Sequence, residues 1–487
     1  MTKATPTRIS TGIPGFDEVL HGGYIAKRTY LLTGPPGGGK TTLGWHFLNA
    51  GVAAGERVLY ITFGEPAADL IENAKYLGFD AAGVEFCDLS PSSELFEQIQ
   101  SYDIFPAAEV ELEPTTTAIL AAIERVQPTR TFVDSMTAMR YLSKDAADFR
   151  RRSLSFVRYI KMLGCCVVMT SEASDEVPDD DLRFLADGVI EVAPSARART
   201  LTVVKFRGSD YRSGPHTLRL GDDGASVFPR LLPEAHRTVF ASDALSWGIP
   251  ELDEMSHGGL ERGTVTLVTG PSGVGKTTVG AQFMKEAASR GDRSAIYTFD
   301  ERAETLMKRC ESVNIPVERM VDDGLLRVVA VEALRFSPDE FADMVRSDVE
   351  QNGTKVVMID SISGYKLSVP GEDLNERIHA LCRYLQNVGV TVLLINELLD
   401  MSEFRITDIG ITYLADNVVL LRYVEHRNGR HAEMGRIIGV LKKRLSDFEK
   451  TMRRFVVTSK GVQIGAPLPH LGGMLGAHQD GRVAESA

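Results

Sequence analysis

Cysteine is scarce in this chain of 487 residues, and its spacing argues against a disulfide framework. The five cysteines form no C-x-x-C pair, and Cys165 and Cys166 lie inside an apolar run. Free cysteines in such runs are usually buried and reduced, as in proteins of the cytosol. The pattern predicts inert thiols in a cytoplasmic protein.

Long apolar stretches and a basic excess are also missing. No stretch approaches 18 uninterrupted apolar residues, and the first eight residues lack the apolar core of a signal peptide. Lysine and arginine number 54 against 66 acidic residues, which gives a net charge of −12. We therefore expect no membrane association, and the charge disfavours a nucleic-acid partner, although a local basic groove remains compatible with it.

What the chain does have is a long internal duplication. Three short motifs recur after the same interval of 236 residues. The pairs are Gly12-Ile13-Pro14 with Gly248-Ile249-Pro250, His21-Gly22-Gly23 with His257-Gly258-Gly259, and Lys40-Thr41-Thr42 with Lys276-Thr277-Thr278. A repeat of this length is a whole domain rather than a solenoid unit. The sequence predicts a first domain over 1–235, a second over 236–466 and a flexible tail over 467–487.

Each half alternates short apolar runs with helical patterns. Residues 29–33, 58–61, 356–359 and 390–394 are continuous rather than alternating apolar runs. Such runs are typical of parallel strands that are buried on both faces of a sheet. The predicted fold class is therefore α/β, with a mostly parallel sheet flanked by helices in each half.

Both halves contain the phosphate-binding pattern G-x-x-x-x-G-K-[ST], at 34–41 and 270–277, between a predicted strand and a predicted helix. Glycines let backbone N–H groups surround phosphates, and the helix N-terminus favours negative charge. Lys40 and Lys276 would reach the β- and γ-phosphates of ATP. The predicted ATP-binding residues are Gly34, Gly37, Gly38, Gly39, Lys40, Thr41 and Thr42 in the first half, and Gly270, Ser272, Gly273, Val274, Gly275, Lys276, Thr277 and Thr278 in the second.

A magnesium site and a base complete the predicted chemistry. Asp134 and Asp360 each follow a buried strand, and with the hydroxyls of Thr41 and Thr277 they are the predicted ligands of Mg²⁺ and its water shell. Glu65 in the first half, and Asp300 and Glu301 in the second, are candidates to activate a water or hydroxyl nucleophile. The alternative is that these three acids only cap the helices that follow them.

Together these motifs resemble the KaiC family of tandem RecA-like P-loop ATPases over nearly the whole chain. The resemblance implies a homo-hexamer of stacked rings with ATP held between neighbouring subunits. It also implies that two late basic motifs reach the nucleotide of the adjacent protomer, through Lys205 and Arg207 in the first half and Lys442 and Arg444 in the second. Without the family, a Lys-x-Arg near the end of a domain is more often a solvated strand edge.

The family phosphorylates itself on neighbouring hydroxyl residues in the second half. Thr412 matches the first of these positions, Tyr413 stands at the second, and Thr407 is another hydroxyl close by. The family pattern also has a Glu-Glu pair at the acidic site. Here Gly64 removes the first carboxylate from the first half, and Asp300 shortens it in the second.

The sequence thus predicts a Mg²⁺-dependent ATPase and serine/threonine autokinase with a regulatory or circadian-type timing role. The first half is expected to bind ATP with weak hydrolysis, and the second to hydrolyse ATP and phosphorylate Thr412. The family alone suggests a KaiB-like protein or a histidine kinase as partner. The alternatives are a DNA-acting RecA-like ATPase and a signalling scaffold with little turnover.

Overall fold

The computed structural model describes residues 5–90, 112–141, 143–172, 179–195, 198–369, 374–398, 413–428 and 431–468. The chain divides into two compact units, Met1–Arg230 and Leu231–Ala487. The division falls a few residues before the expected domain boundary. Most of the predicted tail, from residue 469 onward, lies outside the described residues.

The first unit is built on a nine-stranded sheet in the order β11-β10-β9-β8-β3-β7-β6-β4-β5. The six strands from β8 to β5 in this order are parallel, and β9, β10 and β11 extend the sheet in antiparallel fashion. The strands are β3 (Thr29–Thr33), β4 (Val58–Thr62), β5 (Val84–Asp88), β6 (Arg130–Asp134), β7 (Cys166–Ser171), β8 (Gly188–Pro194), β9 (Arg199–Phe206), β10 (Pro215–Gly221) and β11 (Gly224–Phe228). A separate two-stranded sheet pairs β1 (Arg8–Ile9) with β2 (Tyr24–Ile25).

Helices follow the strands as α/β crossovers require. In the first unit they are α1 (Pro14–Val19), α2 (Lys40–Ala53), α3 (Ala67–Tyr76), α4 (Leu112–Val126), α5 (Met136–Tyr141), α6 (Ala146–Met162) and α7 (Asp180–Leu185). Along the central strand β3, Tyr30 and Leu32 join one buried cluster and Leu31 joins another. Alternate residues of one strand thus fill two cores, which explains why the run is apolar throughout.

The second unit repeats this plan with a nine-stranded sheet in the order β16-β15-β17-β18-β14-β19-β20-β21-β22. Its strands are β14 (Val265–Gly270), β15 (Ser294–Thr298), β16 (Leu326–Ala330), β17 (Val356–Asp360), β18 (Thr391–Glu397), β19 (Asn417–Asn428), β20 (His431–Lys443), β21 (Arg453–Thr458) and β22 (Gly461–Pro467), with β12 (Ala244–Leu245) and β13 (Leu260–Glu261) paired separately. Its helices are α8 (Pro250–Met255), α9 (Lys276–Ser289), α10 (Ala303–Glu311), α11 (Val317–Asp322), α12 (Pro338–Asn352), α13 (Ile362–Lys366) and α14 (Leu374–Asn387).

The predicted α/β class, with a mostly parallel sheet flanked by helices, is confirmed in both units. Among the helices that the structure describes, none combines the length and apolar character needed to cross a bilayer. In each unit the strands that carry the predicted site residues end at the same edge of the sheet, because they are parallel. That edge is where ligands bind in open α/β sheets.

Candidate functional site

The predicted phosphate loop of the first unit joins β3 to α2. Gly34 and Gly39 have φ angles of 150° and 97°, and a Cβ atom at Gly34 would lie 2.1 Å from the carbonyl oxygen of Val192. Any larger residue at position 34 would therefore push the loop away from β8. Lys40 begins α2 and folds back, donating from Nζ to the carbonyl oxygens of Gly34 and Pro35 at 2.8 and 2.9 Å.

The second unit repeats this arrangement. Lys276 begins α9 and donates from Nζ to the carbonyl oxygens of Gly270 and Pro271 at 2.9 and 2.8 Å. Gly270 has a φ angle of 156°, and a Cβ atom there would lie 2.2 Å from the carbonyl oxygen of Leu421. Each lysine thus rests on its own loop, where an incoming phosphate can replace the carbonyl oxygens.

Two carboxylates that sequence reasoning did not assign to the site lie near these lysines. Burial lowers the pKa of Lys40 and of Lys276. Nearby negative charges raise these pKa values in part, and the largest such effect comes from Glu172 on Lys40 and from Glu397 on Lys276. Glu172 directly follows β7, and Glu397 ends β18, the matching strand. The sequence carried a signal for them, because both glutamates occur at corresponding points of the duplication.

The predicted metal-binding residues come together in both units. The hydroxyl of Thr41 donates to Oδ2 of Asp134 at 2.7 Å, and the hydroxyl of Thr277 donates to Oδ2 of Asp360 at 2.7 Å. One hydroxyl, one carboxylate and the phosphates of a bound nucleotide form an all-oxygen set that suits Mg²⁺. The described residues contain no cluster of three or more His, Cys, Asp or Glu side chains for a metal, so such a cation would depend on the nucleotide.

The surroundings of the two aspartates differ. Asp134 also accepts hydrogen bonds from Tyr60 at 3.1 Å and from Thr170 at 2.6 Å. The corresponding positions in β15 and β18 are Ile296 and Ile395, which cannot donate. Burial raises the pKa of Asp360 to about 6, although the hydrogen bond from Thr277 lowers this pKa in part. Burial, followed by the charge of Asp134, raises the pKa of Tyr60 well above its usual value, so Tyr60 stays a neutral donor.

We expect Asp360→Asn to stabilise the second unit in the absence of nucleotide. A folded-state pKa of about 6, above the usual 3.8, means that ionisation opposes folding. The free energy of unfolding of the wild type therefore falls as pH rises from 4 through 6, and the total loss reaches roughly 3 kcal/mol at pH 8. Urea unfolding followed between pH 5 and 8 should show the variant's advantage growing with pH.

The matched control is Asp134→Asn in the first unit. An asparagine offers one acceptor oxygen where Asp134 receives three hydroxyl donors, so this variant should lose stability. A stability gain for Asp134→Asn equal to that for Asp360→Asn would contradict the distinction between the two aspartates. So would a gain for Asp360→Asn that does not change with pH.

The three candidate acids lie just past β4 in the first unit and just past β15 in the second. Asp300 accepts a 2.5 Å hydrogen bond from the hydroxyl of Ser361, and Glu301 forms an ion pair with Arg309. Glu65 is exposed, and among the described residues no group makes a hydrogen bond or ion pair with its carboxylate. The N-cap residues of α3 and α10, which are Pro66 and Arg302, make no side-chain capping bond.

Helix capping by these acids finds little support. The first N–H of α3, that of Ala67, is bound by Asp88 at 2.7 Å rather than by Glu65. Asp300 and Glu301 are engaged by Ser361 and Arg309 instead of by the α10 N-terminus. Their role in activating a nucleophile stays a prediction.

Gly364 makes room for Asp300. A Cβ atom at Gly364 would lie 2.4 Å from Cβ of Phe299 and 2.8 Å from Oδ1 of Asp300. The corresponding residue in the first unit is Ala138, and there the acidic position is Gly64. The second unit therefore has Asp300 next to Gly364, whereas the first unit has Gly64 and Ala138 at the same two positions. The two units thus differ at both members of this pair.

The late basic residues contact backbone within their own units. Lys205 donates from Nζ to the carbonyl oxygen of Arg183 at 2.7 Å, and Lys442 donates to that of Ala415 at 2.6 Å. Burial lowers the pKa of both lysines, with further lowering by Arg207 and Arg444 respectively. Arg207 is exposed, and Arg444 pairs with Asp416 at 3.3 Å. Contact with the nucleotide of an adjacent protomer stays a prediction.

The predicted phosphosites Thr407 and Thr412 lie outside the described residues. Tyr413, the next residue, is 54% exposed, and its carbonyl oxygen accepts a hydrogen bond from Arg444 at 3.0 Å. The basic motif of the second unit therefore contacts the residue that follows the predicted phosphosite in the sequence.

Comparison with known proteins identifies the family of both units. The family model described as "ATPase: KaiC" matches residues 9–231 and again residues 245–468. The circadian clock oscillator protein KaiC of Prochlorococcus marinus (strain MIT 9313) is 28% identical over 474 residues, which cover 94% of this chain and 92% of that protein. The protein of the same name from Synechococcus elongatus is 29% identical over 475 residues, covering 94% and 89%.

The two matches confirm the prediction of two tandem RecA-like P-loop domains. They cover both phosphate loops, both strand-end aspartates and all three candidate acids. The chain therefore belongs to the KaiC family of ATPases.

Proposed function

We propose that each unit binds Mg²⁺-ATP and that the chain couples its hydrolysis to a regulatory role. The observation that carries this proposal is the convergence, in both units, of the phosphate-loop lysine, its neighbouring threonine and a strand-end aspartate. The threonine-to-aspartate distance is 2.7 Å in each. Lys40 and Lys276 would hold the β- and γ-phosphates, and bound Mg²⁺ would neutralise charge on the same oxygens.

The second unit is proposed to carry most of the phosphoryl transfer. Asp300 is oriented by Ser361 at 2.5 Å, whereas Gly64 offers no carboxylate at the matching position and Glu65 has no hydrogen-bonding support among the described residues. A base must be held in place to act on its nucleophile. We therefore assign nucleotide binding with weak hydrolysis, in support of assembly, to the first unit.

In the proposed reaction the nucleophile is a water or a hydroxyl group. The oxygen of the nucleophile bonds to the γ-phosphorus, and Asp300 accepts the proton that the nucleophile loses. The bond from that phosphorus to the β,γ-bridging oxygen breaks at the same time. ADP leaves with the bonding electrons. Lys276 stabilises the charge that develops on the phosphate oxygens.

With a hydroxyl as nucleophile, the chain would act as a serine/threonine protein kinase on itself. The proposed acceptor is Thr412, with Thr407 as the nearby alternative. The relatives' name, circadian clock oscillator protein, supports a timing role, and the family resemblance supports a homo-hexamer. The same resemblance suggests a KaiB-like protein or a histidine kinase as partner.

Incubation with Mg²⁺ and γ-labelled ATP, followed by phosphosite mapping, tests the kinase proposal. We expect label on wild type at Thr412, and none on Lys276→Ala or on Thr412→Ala, because the first lacks the phosphate ligand and the second lacks the acceptor. Thr412→Ser is the matched control, since it keeps a hydroxyl and should still be labelled. Equal labelling of wild type, Lys276→Ala and Thr412→Ala would contradict the proposal.

A further inference from the structure

The carboxylate of Asp134 is held by three hydroxyl groups from three different elements. Thr41 in α2 and Tyr60 in β4 donate to Oδ2 at 2.7 and 3.1 Å, and Thr170 in β7 donates to Oδ1 at 2.6 Å. Tyr60 and Thr170 are fully buried and Asp134 is partly buried, so these two donors have no access to water when they turn away from the carboxylate. Both carboxylate oxygens are thus engaged, and the carboxylate is held in one orientation.

The second unit keeps one of these three donors. Thr277 donates to Asp360, but Ile296 and Ile395 stand where Tyr60 and Thr170 stand in the first unit. The strand registers agree, because Thr62 lies beside Asp134 and Thr298 lies beside Asp360. Among the described residues, Thr277 is the only side chain that donates a hydrogen bond to Asp360.

This difference matters most when a cation arrives. The oxygen of Thr41 or Thr277 is itself a proposed ligand, and a hydroxyl that gives a lone pair to Mg²⁺ can still donate its proton to the aspartate. Beyond that shared donor, Asp134 has Tyr60 and Thr170, whereas Asp360 has no further side-chain donor among the described residues. The carboxylate of Asp360 must therefore lose conformational entropy when a cation binds, whereas the carboxylate of Asp134 is already held in place.

We propose that Tyr60 and Thr170 are positioning residues that hold Asp134 ready for a divalent cation, so that the first site binds magnesium nucleotide at a lower Mg²⁺ concentration than the second. The inference rests on the proposed function, because it takes Asp134 and Asp360 as part of two magnesium sites. Removing a side chain that orients a metal ligand typically costs about 10- to 100-fold in metal affinity.

The test uses the full chain with the second site disabled by Lys276→Ala. Binding of a fluorescent ATP analogue is titrated with MgCl₂ in wild-type, Tyr60→Phe, Thr170→Val and Thr170→Ser backgrounds. We expect the half-saturating Mg²⁺ concentration to rise about tenfold or more in Tyr60→Phe and Thr170→Val. Thr170→Ser keeps the hydroxyl and should restore the original midpoint, which a purely structural role of the methyl group would not predict.

The reciprocal change guards against a variant that fails to fold. In a Lys40→Ala chain, Ile395→Thr should give Asp360 a second hydroxyl donor and lower the Mg²⁺ midpoint of the second site. Unchanged midpoints in these variants, with binding still dependent on Mg²⁺, would overturn the inference and leave the proposed function intact. Nucleotide binding at both sites that is indifferent to Mg²⁺ would overturn the inference and the proposed function together.

Discussion

Lys276→Ala is expected to remove most of the ATP hydrolysis of the chain, whereas Lys40→Ala leaves most of it. Lys276 is buried against its own loop, with Nζ within 2.9 Å of two carbonyl oxygens, which phosphate oxygens would replace as acceptors. Losing one preorganised donor to the developing charge slows the chemical step by about a hundredfold at that site. Steady-state release of phosphate from the two variants and wild type measures the effect.

The two lysines are matched controls for each other, because their local geometry is nearly the same. Lys40 contacts Gly34 and Pro35 as Lys276 contacts Gly270 and Pro271. A difference in hydrolysis between the variants must then come from the rest of each site, and the acidic positions are the proposed source. Equal losses in Lys40→Ala and Lys276→Ala would contradict the assignment of hydrolysis to the second unit.

Gly364→Ala is expected to impair phosphoryl transfer in the second unit without abolishing nucleotide binding. The new methyl group would lie 2.4 Å from Cβ of Phe299 and 2.8 Å from Asp300 Oδ1, so the segment that carries Asp300 must shift. A displacement of about 1 Å at a reacting group costs on the order of a hundredfold in rate. Nucleotide affinity should stay near that of wild type, because the phosphate loop is built from other residues.

A double variant separates displacement from general instability. Gly364→Ala combined with Asp300→Gly recreates the Gly64 and Ala138 pair of the first unit and removes the clash with the carboxylate. We expect this double variant to regain part of the thermal stability lost in Gly364→Ala but none of the lost hydrolysis. Hydrolysis at the wild-type rate in the double variant would show that Asp300 is not the base, and the same rate in Gly364→Ala would show that the added methyl group does not displace it.

The phosphate loops and strand-end aspartates could be predicted because their chemistry is local in sequence. A glycine-rich turn between an apolar strand and a helix, ending in Lys40-Thr41 or Lys276-Thr277, has few other structural meanings. The duplication then placed Asp134 and Asp360 at equivalent strand ends. Parallel pairing brings those ends to one edge of the sheet, so the 2.7 Å contacts to Thr41 and Thr277 follow from the fold.

Contacts made across the sheet could not be predicted in the same way. Tyr60, Thr170 and Asp134 come from three strands, and their hydrogen bonds depend on strand order and register rather than on any short motif. Within their apolar runs, Tyr60 and Thr170 look like ordinary strand residues. Comparing the two halves would have revealed the replacements by Ile296 and Ile395, but not that these positions face the aspartate.

The central claim is that the chain holds two separate magnesium nucleotide sites, one in each unit. Counting bound nucleotide per chain, after equilibration with Mg²⁺ and a slowly hydrolysed ATP analogue, tests it most directly. The account predicts two nucleotides in wild type, one in Lys40→Ala, one in Lys276→Ala and none in the double variant. A wild-type chain that binds a single nucleotide, or a single variant that loses both, would contradict it.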